Sequence, residues 1–381
     1  MKKLIGSVAI AAMVAGAAFA EIGIGAWGRG IWMPVSSSGN EIFTRNTTSW
    51  GGVNSGDNWS NPRAGIGFHA ASENVGFNLD YNGDGGTPAV HDNAHLWAKP
   101  VDAVKITLGK YDFQTYRQNG CYGLFNWFRI GGGTEGEGLA MEGAGTTGAV
   151  VEITPVEGLA FAAAMPSQNI GKEAYKVYMW ESTYIASYTM ADTFQIKAQW
   201  KCAADGTNEK NEKLGYGKIQ AAFDLFAVEN LYLTVGASIP TAVVNEADPI
   251  VAAYVRYNAD ALTFHALGKI KLPNSVKNDD AQAVKKGNLG FIAGFGVDYD
   301  FGNSYSLNAD VRYSSKEMVS GTNYGDDAVV FLVGLNKALT NGKCGIGFEG
   351  GAYNVGPNQY EGGKSKDTFT WAIPVVIEMW F

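Results

Sequence analysis

Two stretches space glycines as a nucleotide-binding turn would, Gly23-Ile24-Gly25-Ala26-Trp27-Gly28 and Gly345-Ile346-Gly347-Phe348-Glu349-Gly350. In such a turn the missing side chains let backbone N–H groups approach a pyrophosphate at a helix N-terminus. Gly supplies 50 of the 381 residues, so about one such match is expected by chance, and neither opens a helix in a βαβ unit. The glycines read instead as small residues on one face of a strand. Asp80-Tyr81-Asn82-Gly83-Asp84-Gly85 matches the first half of a calcium loop. The twelfth position should carry a bidentate Glu and is His91, and no helices flank it, so a Gly-rich external turn is the simpler account. His91 and His95 are four residues apart, which on a strand is about 13 Å and too far for one metal ion. Cys121, Cys202 and Cys344 are odd in number and contain no CxxC pair, and sequence alone assigns no bridge among them. There is no GxSxG and no defensible Ser/His/Asp grouping. The sequence therefore predicts no catalytic residue, no metal and no cofactor.

Composition narrows the class further. Lys and Arg number 29 against 37 Asp and Glu, a net charge of −8, and no Lys/Arg cluster interrupts it. Nucleic acid is excluded as a partner on that ground. Charged residues make up 17%, below the roughly 25% of an ordinary soluble domain. The first twenty residues, MKKLIGSVAIAAMVAGAAFA, place Lys2 and Lys3 before an apolar run and end in Ala18-Phe19-Ala20. That is the pattern of a cleaved export signal, leaving 21–381 as one mature domain. Beyond residue 20 no apolar run is long enough for a transmembrane helix.

The mature chain alternates with period two. Phe194, Ile196, Ala198 and Trp200 oppose Gln195, Lys197, Gln199 and Lys201; Leu289, Phe291, Ala293, Phe295, Val297 and Tyr299 oppose Asn288, Gly290, Ile292, Gly294, Gly296 and Asp298. Tyr305, Leu307, Ala309, Val311 and Tyr313 likewise oppose Ser304, Ser306, Asn308, Asp310 and Arg312. These are strands with one greasy and one polar face, about ten residues long. Short turns fall near 71–74, 100–102, 155–158, 190–192, 227–230, 258–260, 301–303 and 340–342. Longer polar connections span 36–62, 83–91, 111–146, 166–174, 204–212, 240–248, 273–287, 316–327 and 355–366. Eight turns and nine loops delimit eighteen strands, within two, the segment at 175–189 being the ambiguous one. Both chain ends then lie on the short-turn side.

The last segment, DTFTWAIPVVIEMWF, sets Phe369, Trp371, Ile373, Val375, Ile377, Met379 and Phe381 on one face. In water that face would need a cover, and no helical segment is available to supply one. In lipid the face is stable and strand closure satisfies the backbone. The fold class predicted is therefore an all-β, closed antiparallel transmembrane barrel of eighteen strands, sixteen being the other count considered.

Strict alternation ending on a terminal Phe resembles the assembly signal of Gram-negative outer-membrane barrels, carried here by Ile377, Met379 and Phe381. The whole mature chain resembles an outer-membrane porin in architecture, and EIGIGAWGRGIWMPV at its start is similar to spirochaetal outer-membrane barrels. The resemblance implies insertion into outer-membrane lipid by the barrel-assembly machinery, a homotrimeric state, and passage of small hydrophilic solutes. It also implies that the third long loop, 111–146, folds into the lumen as a constriction bearing Glu135, Glu137 and Glu142. Alternation turns Lys197, Lys201, Lys218, Arg256, Lys269, Lys271 and Arg312 inward, with Asp224, Asp298 and Asp310 among them and Arg29 and Arg63 near the first strands. Glutamates facing these cations would set a transverse field across the lumen. Trp32, Trp127 and Trp180 are candidates for an aromatic track in a solute-selective channel. The competing class is a surface adhesin or sheath barrel working through its external loops, loop 36–62 first among them.

Overall fold

A computed structural model describes residues 21–38, 41–43, 48–49, 63–83, 89–112, 116–118, 140–167, 181–203, 216–241, 248–273, 275–276, 285–286, 288–318, 327–351 and 369–381. The candidate signal peptide, Glu135, Glu137, Cys121, Asp84, Trp127 and Trp180 lie outside them.

Eighteen long strands among the described residues form one antiparallel sheet. In chain order they are β1 (Glu21–Ser38), β2 (Arg63–Ala71), β3 (Val75–Gly83), β4 (Ala89–Val101), β5 (Val104–Tyr111), β6 (Thr146–Val156), β7 (Leu159–Pro166), β8 (Thr183–Met190), β9 (Phe194–Ala203), β10 (Tyr216–Leu225), β11 (Leu231–Pro240), β12 (Ile250–Ala259), β13 (Leu262–Lys271), β14 (Gly290–Gly302), β15 (Tyr305–Ser314), β16 (Ala328–Leu339), β17 (Gly342–Gly351) and β18 (Thr370–Trp380). Each pairs with its sequence neighbours. β1 pairs on one side with β2 and on the other with β18, so the sheet closes and has no free edge. The terminal residue completes the seam, because Phe381 N–H donates to Ala26 O at 2.7 Å and Ala26 N–H to Phe381 O at 3.0 Å. Closure satisfies the backbone groups that an open edge would expose to lipid.

The eight short connections coincide with the turns read from sequence, and the reason is local chemistry. Asp192, Asn230, Asp260, Asn303 and Ser304 hold positive φ there, as do Gly158 and Gly302. Asn, Asp and Gly tolerate that conformation best. Asn303 and Ser304, both left-handed, are the two-residue turn between β14 and β15, the geometry that matches the strands' own twist. Two expected loops carry extra structure. Glu41–Phe43 folds back on the end of β1, which runs on to Ser38, and Ser275–Val276 pairs with Lys285–Lys286. The strand expected at 175–189 begins at Thr183, and 168–180 lies outside the described residues.

The outer surface is apolar along the strands. Ile196, Phe223, Val235, Ile239, Phe295 and Val311 are all exposed, and their strand neighbours with opposite parity are polar or small. Aromatic rings gather toward both ends of this belt. Tyr188, Phe194 and Phe223 form a chain of ring contacts near the turns, and Phe331, Phe348, Phe369 and Trp371 stack near the loops. Amphipathic or flat rings at two levels are the girdles of a membrane barrel. Phe295 sits midway along β14 at 49% exposure. A Phe295→Arg change is expected to cost about 2–4 kcal/mol of folding free energy in lipid. Urea titration of the barrel in vesicles measures it, and an unchanged midpoint would remove Phe295 from the hydrocarbon.

Candidate functional site: the inner wall and the segment seated on it

With the apolar parity outward, the opposite parity lines the interior. It contains the cations read from sequence on β9 to β15, but most of them are engaged with specific partners. Those partners come chiefly from the two ends of the 111–146 segment, which lie against the inner faces of strands from β6 to β14.

Three layers of contact hold this segment. The first is an ion pair sealed from solvent. Lys197 Nζ stands 2.8 Å from Asp224 Oδ2, with side-chain exposures of 0% and 2%. The same ammonium donates to the backbone carbonyl of Arg117 at 2.7 Å, and Tyr232 Oη donates to Asp224 Oδ1 at 3.0 Å. A charge buried this completely is tolerable only when paired and hydrogen-bonded. The second layer is made of side-chain amides. Gln118 is fully buried; its Nε2 donates to Ala252 O at 3.1 Å and its Oε1 accepts from Ala140 N–H at 2.9 Å. Gln220 Nε2 donates to Ala140 O at 2.8 Å, and Gln199 Nε2 to Glu142 O at 2.8 Å and to Gln220 Oε1 at 2.5 Å. The third layer is apolar. Met141, Ala144 and Tyr116 pack on Val150, Ala162, Ala164, Ile185 and Ala222, while Ala140 packs beside Ala252, Tyr254, Leu267 and Ile292.

Small residues make the seat. A Cβ at Gly236 would lie 2.2 Å from Gln118 Oε1, so only glycine lets that amide reach the wall. The expected polar inner face is therefore broken by Ala162, Ala164, Ala222 and Ala252 where the segment covers it. The sequence held a signal for this. LAFAAAMP in β7 is apolar on both faces, which a strand facing open water would not be.

Glu142 meets Lys201 Nζ at 2.9 Å through Oε2 and Lys218 Nζ through a short contact at Oε1. The sequence reading set the loop glutamates facing cations across an opening. Glu142 instead bonds them directly, because residues 140–144 are themselves seated on the same wall. Burial pushes the Glu142 carboxyl upward, but the hydrogen bonds from Lys218 and Lys201 outweigh it and hold the pKa below the ordinary Glu range. A depressed carboxyl contributes its stabilisation fully above the ordinary Glu value and loses it as pH falls through the depressed one. Acidification below the ordinary carboxylate range should therefore cost the fold the stabilisation of this contact. The unfolding temperature of wild type should fall across that window relative to Glu142→Gln, whose side chain does not titrate; parallel curves would show the pair to be uncoupled from stability.

Farther round the wall, Tyr254 Oη and His265 Nδ1 are 2.6 Å apart, and His265 Nε2 is 2.7 Å from Asp298 Oδ2. Asp298 thus pairs with a histidine that sequence reasoning left aside. Lys271 donates to Glu317 O at 2.6 Å and lies 3.7 Å from Asp248, so the start of the 316–327 connection also leans inward, with Met318 against Gly290. Arg256 lies 5.7 Å from the Tyr232 ring centroid. Lys269 shares the inner row of Ala252 and Ile292, and Asp310 and Arg312 are inward on β15. Arg29 and Arg63 are register partners on β1 and β2, and their side chains lie outside the described residues, as does that of Trp32. Trp27 lies over Gly65 and Trp97 over Gly76 on the inner wall, and Trp380, the register partner of Trp27, shares that parity at the end of β18. Asp80 belongs to β3 and accepts a hydrogen bond from Asn93 at 2.8 Å, so it is a wall residue and not part of an external calcium turn. His95, also inward, contacts Asn78 at 3.4 Å. Among the described residues no group of three or more His, Cys, Asp and Glu could hold a metal ion, and Cys202 and Cys344 form no disulfide.

Comparison with known proteins speaks to the architecture. No protein-family model matches the chain, and no curated protein matches it in sequence. Solved structures do. OpdK of Pseudomonas aeruginosa with vanillate is 10% identical with a TM-score of 0.54, the match covering 95% of this chain and 98% of that one. OpdL from the same organism is 12% identical, with a TM-score of 0.52 over 95% and 99%. Salmonella typhi OmpF, in complex with daunomycin, is 14% identical, with a TM-score of 0.51 over 95% and 97%. The chain has the closed antiparallel barrel fold of outer-membrane porins along nearly its whole length.

Proposed function

We propose that the chain is an outer-membrane channel for passive diffusion of small hydrophilic solutes and ions. The observation that carries this is the division of the closed sheet into an apolar outer belt and a polar, charged inner wall. A barrel of this strand number is too wide for side chains to fill. Part of the inner wall is packed under the described ends of the 111–146 segment; on β1, β2, β16 and β17 inward positions such as Gly25, Gly67, Gly334 and Gly347 carry no side chain at all. Structural relatives that are porins, and channels solved with small molecules, support the same reading.

In this reading the segment 111–146 is the constriction. The inward charges at Lys197, Lys201, Lys218, Arg256, Lys269, Lys271, Arg312, Asp224, Asp298 and Asp310 either anchor it or line what remains, with Arg29 and Arg63 beside the seam. Cleavage after Ala20, insertion by the barrel-assembly machinery through the Ile377, Met379 and Phe381 face, and a homotrimeric assembly complete the proposal. Its likeness to spirochaetal barrels rests on residues 21–35 alone. Purified protein in a planar bilayer should give stable, stepwise ion currents, and proteoliposomes should swell in small sugars. Silent bilayers together with unswollen liposomes would leave a structural or adhesive barrel in its place.

A further inference from the structure

Lys201 and Lys218 are register partners on β9 and β10, with both side chains inward. Like charges at facing positions of a sheet repel each other, so this pair needs an anion between its ammonium groups. Glu142 supplies one, with an oxygen to each lysine. Two cations and one carboxylate still leave a surplus positive charge at that point.

The clamp differs from the Lys197–Asp224 pair in two ways. It is open to solvent, with side-chain exposures of 40% for Lys201, 33% for Lys218 and 38% for Glu142. Its carboxylate is also dispensable for holding the chain. The Glu142 backbone is kept in place separately, its carbonyl accepting from Gln199 at 2.8 Å and its N–H donating to Gln220 Oε1 at 3.4 Å. The side chain can swing off the lysines while the backbone stays put.

We propose that Lys201 and Lys218 form an oxyanion-binding clamp whose built-in occupant, the Glu142 carboxylate, exchanges with the carboxylate or phosphate group of a small solute. Two ammonium groups aimed at one point give any such group a pair of charge-assisted hydrogen bonds, the strong kind. The incoming anion replaces the bonds that Glu142 gives up, and the freed carboxylate is rehydrated in the lumen. The exchange rests on the channel reading only for the route by which a solute arrives.

The test uses the full chain folded in detergent and reads thermal unfolding, which does not depend on conduction. Chloride is replaced at constant ionic strength by acetate in one series and by inorganic phosphate in another. In Glu142→Ala the clamp is vacated, and the matching oxyanion should raise the unfolding temperature by about 2 °C through binding to the folded state. The triple variant Glu142→Ala/Lys201→Gln/Lys218→Gln should show no such rise. Stabilisation by only one of the two anions names the oxyanion class. No rise in Glu142→Ala with either anion, or an equal rise in the triple variant, overturns the clamp. If Glu142→Ala does not fold, Glu142→Gln is read in the same way, its amide being a weaker occupant than the carboxylate. A barrel that binds acetate but passes no current would count against the channel and not against the clamp.

Discussion

Replacing Lys197 with methionine is expected to destabilise the barrel by about 3–5 kcal/mol, the usual consequence of stranding one member of a buried ion pair. The loss comes less from the Coulomb attraction forgone than from the Asp224 carboxyl, which is left at 2% exposure with the Tyr232 hydroxyl as its remaining partner among the described residues. The carbonyl of Arg117 loses its donor in the same step, so the start of the seated segment should come away from the wall. Urea-induced unfolding in lipid vesicles measures the energy, and increased current noise in a bilayer reports the loosened segment. The double variant Lys197→Met/Asp224→Leu should recover most of the stability, because two apolar side chains of similar volume remove the stranded charge. It should not recover the quiet current, because the bond from Lys197 to the Arg117 carbonyl is still missing. A single variant as stable as wild type would mean that water reaches Asp224 and that the pair is not sealed.

Gly236→Leu should have the next largest effect, and it acts on the segment instead of the barrel. Any Cβ at this position collides with the Gln118 amide, at 2.2 Å from Oε1 and 2.6 Å from Cδ. Gln118 must withdraw, giving up its bonds to Ala252 O and Ala140 N–H. Two buried bonds lost, with their partners unsatisfied, amount to about 2–4 kcal/mol. That lowers the seated population on the order of 100-fold relative to released forms. The substituted side chain points into the lumen, so the sheet itself should fold normally and keep its heat-modifiable mobility on gels. Single-channel conductance should rise. Combining Gly236→Leu with Gln118→Ala should add little to either change alone, since both break the same contact. Strict additivity, or an unaltered conductance in Gly236→Leu, would show that Gln118 does not hold the segment.

Strand number, strand facing and turn position were legible in the sequence because each is set by neighbours a few residues apart. Phe194, Ile196, Ala198 and Trp200 alternate with polar partners, and lipid on one side with water on the other leaves such a segment one stable orientation. Asp192, Asn230, Asp260 and Asn303 announce turns because their backbones accept positive φ. The C-terminal Phe381 was legible as a barrel terminus, and its exchange of backbone bonds with Ala26 closes the seam.

Which inward residues touch which was not legible, and for a single reason. Lys197 with the Arg117 carbonyl is a contact across 80 positions, Lys218 with Glu142 across 76, and Gln118 with Ala252 across 134. Period and turn chemistry carry no information over such spans; they say that Lys197 and Asp224 face inward, but not that the two meet in a sealed pair beneath a returning segment. The chain by itself determined that a greasy-backed, wet-fronted sheet must close on itself, since local alternation and the demand for backbone hydrogen bonds in lipid suffice for that. Only the tertiary structure decided that part of the inner wall is packed under residues 116–118 and 140–145, that Gly236 is the notch for Gln118, and that Glu142 bridges two lysines. Those choices depend on the volumes and charges that closure brings face to face.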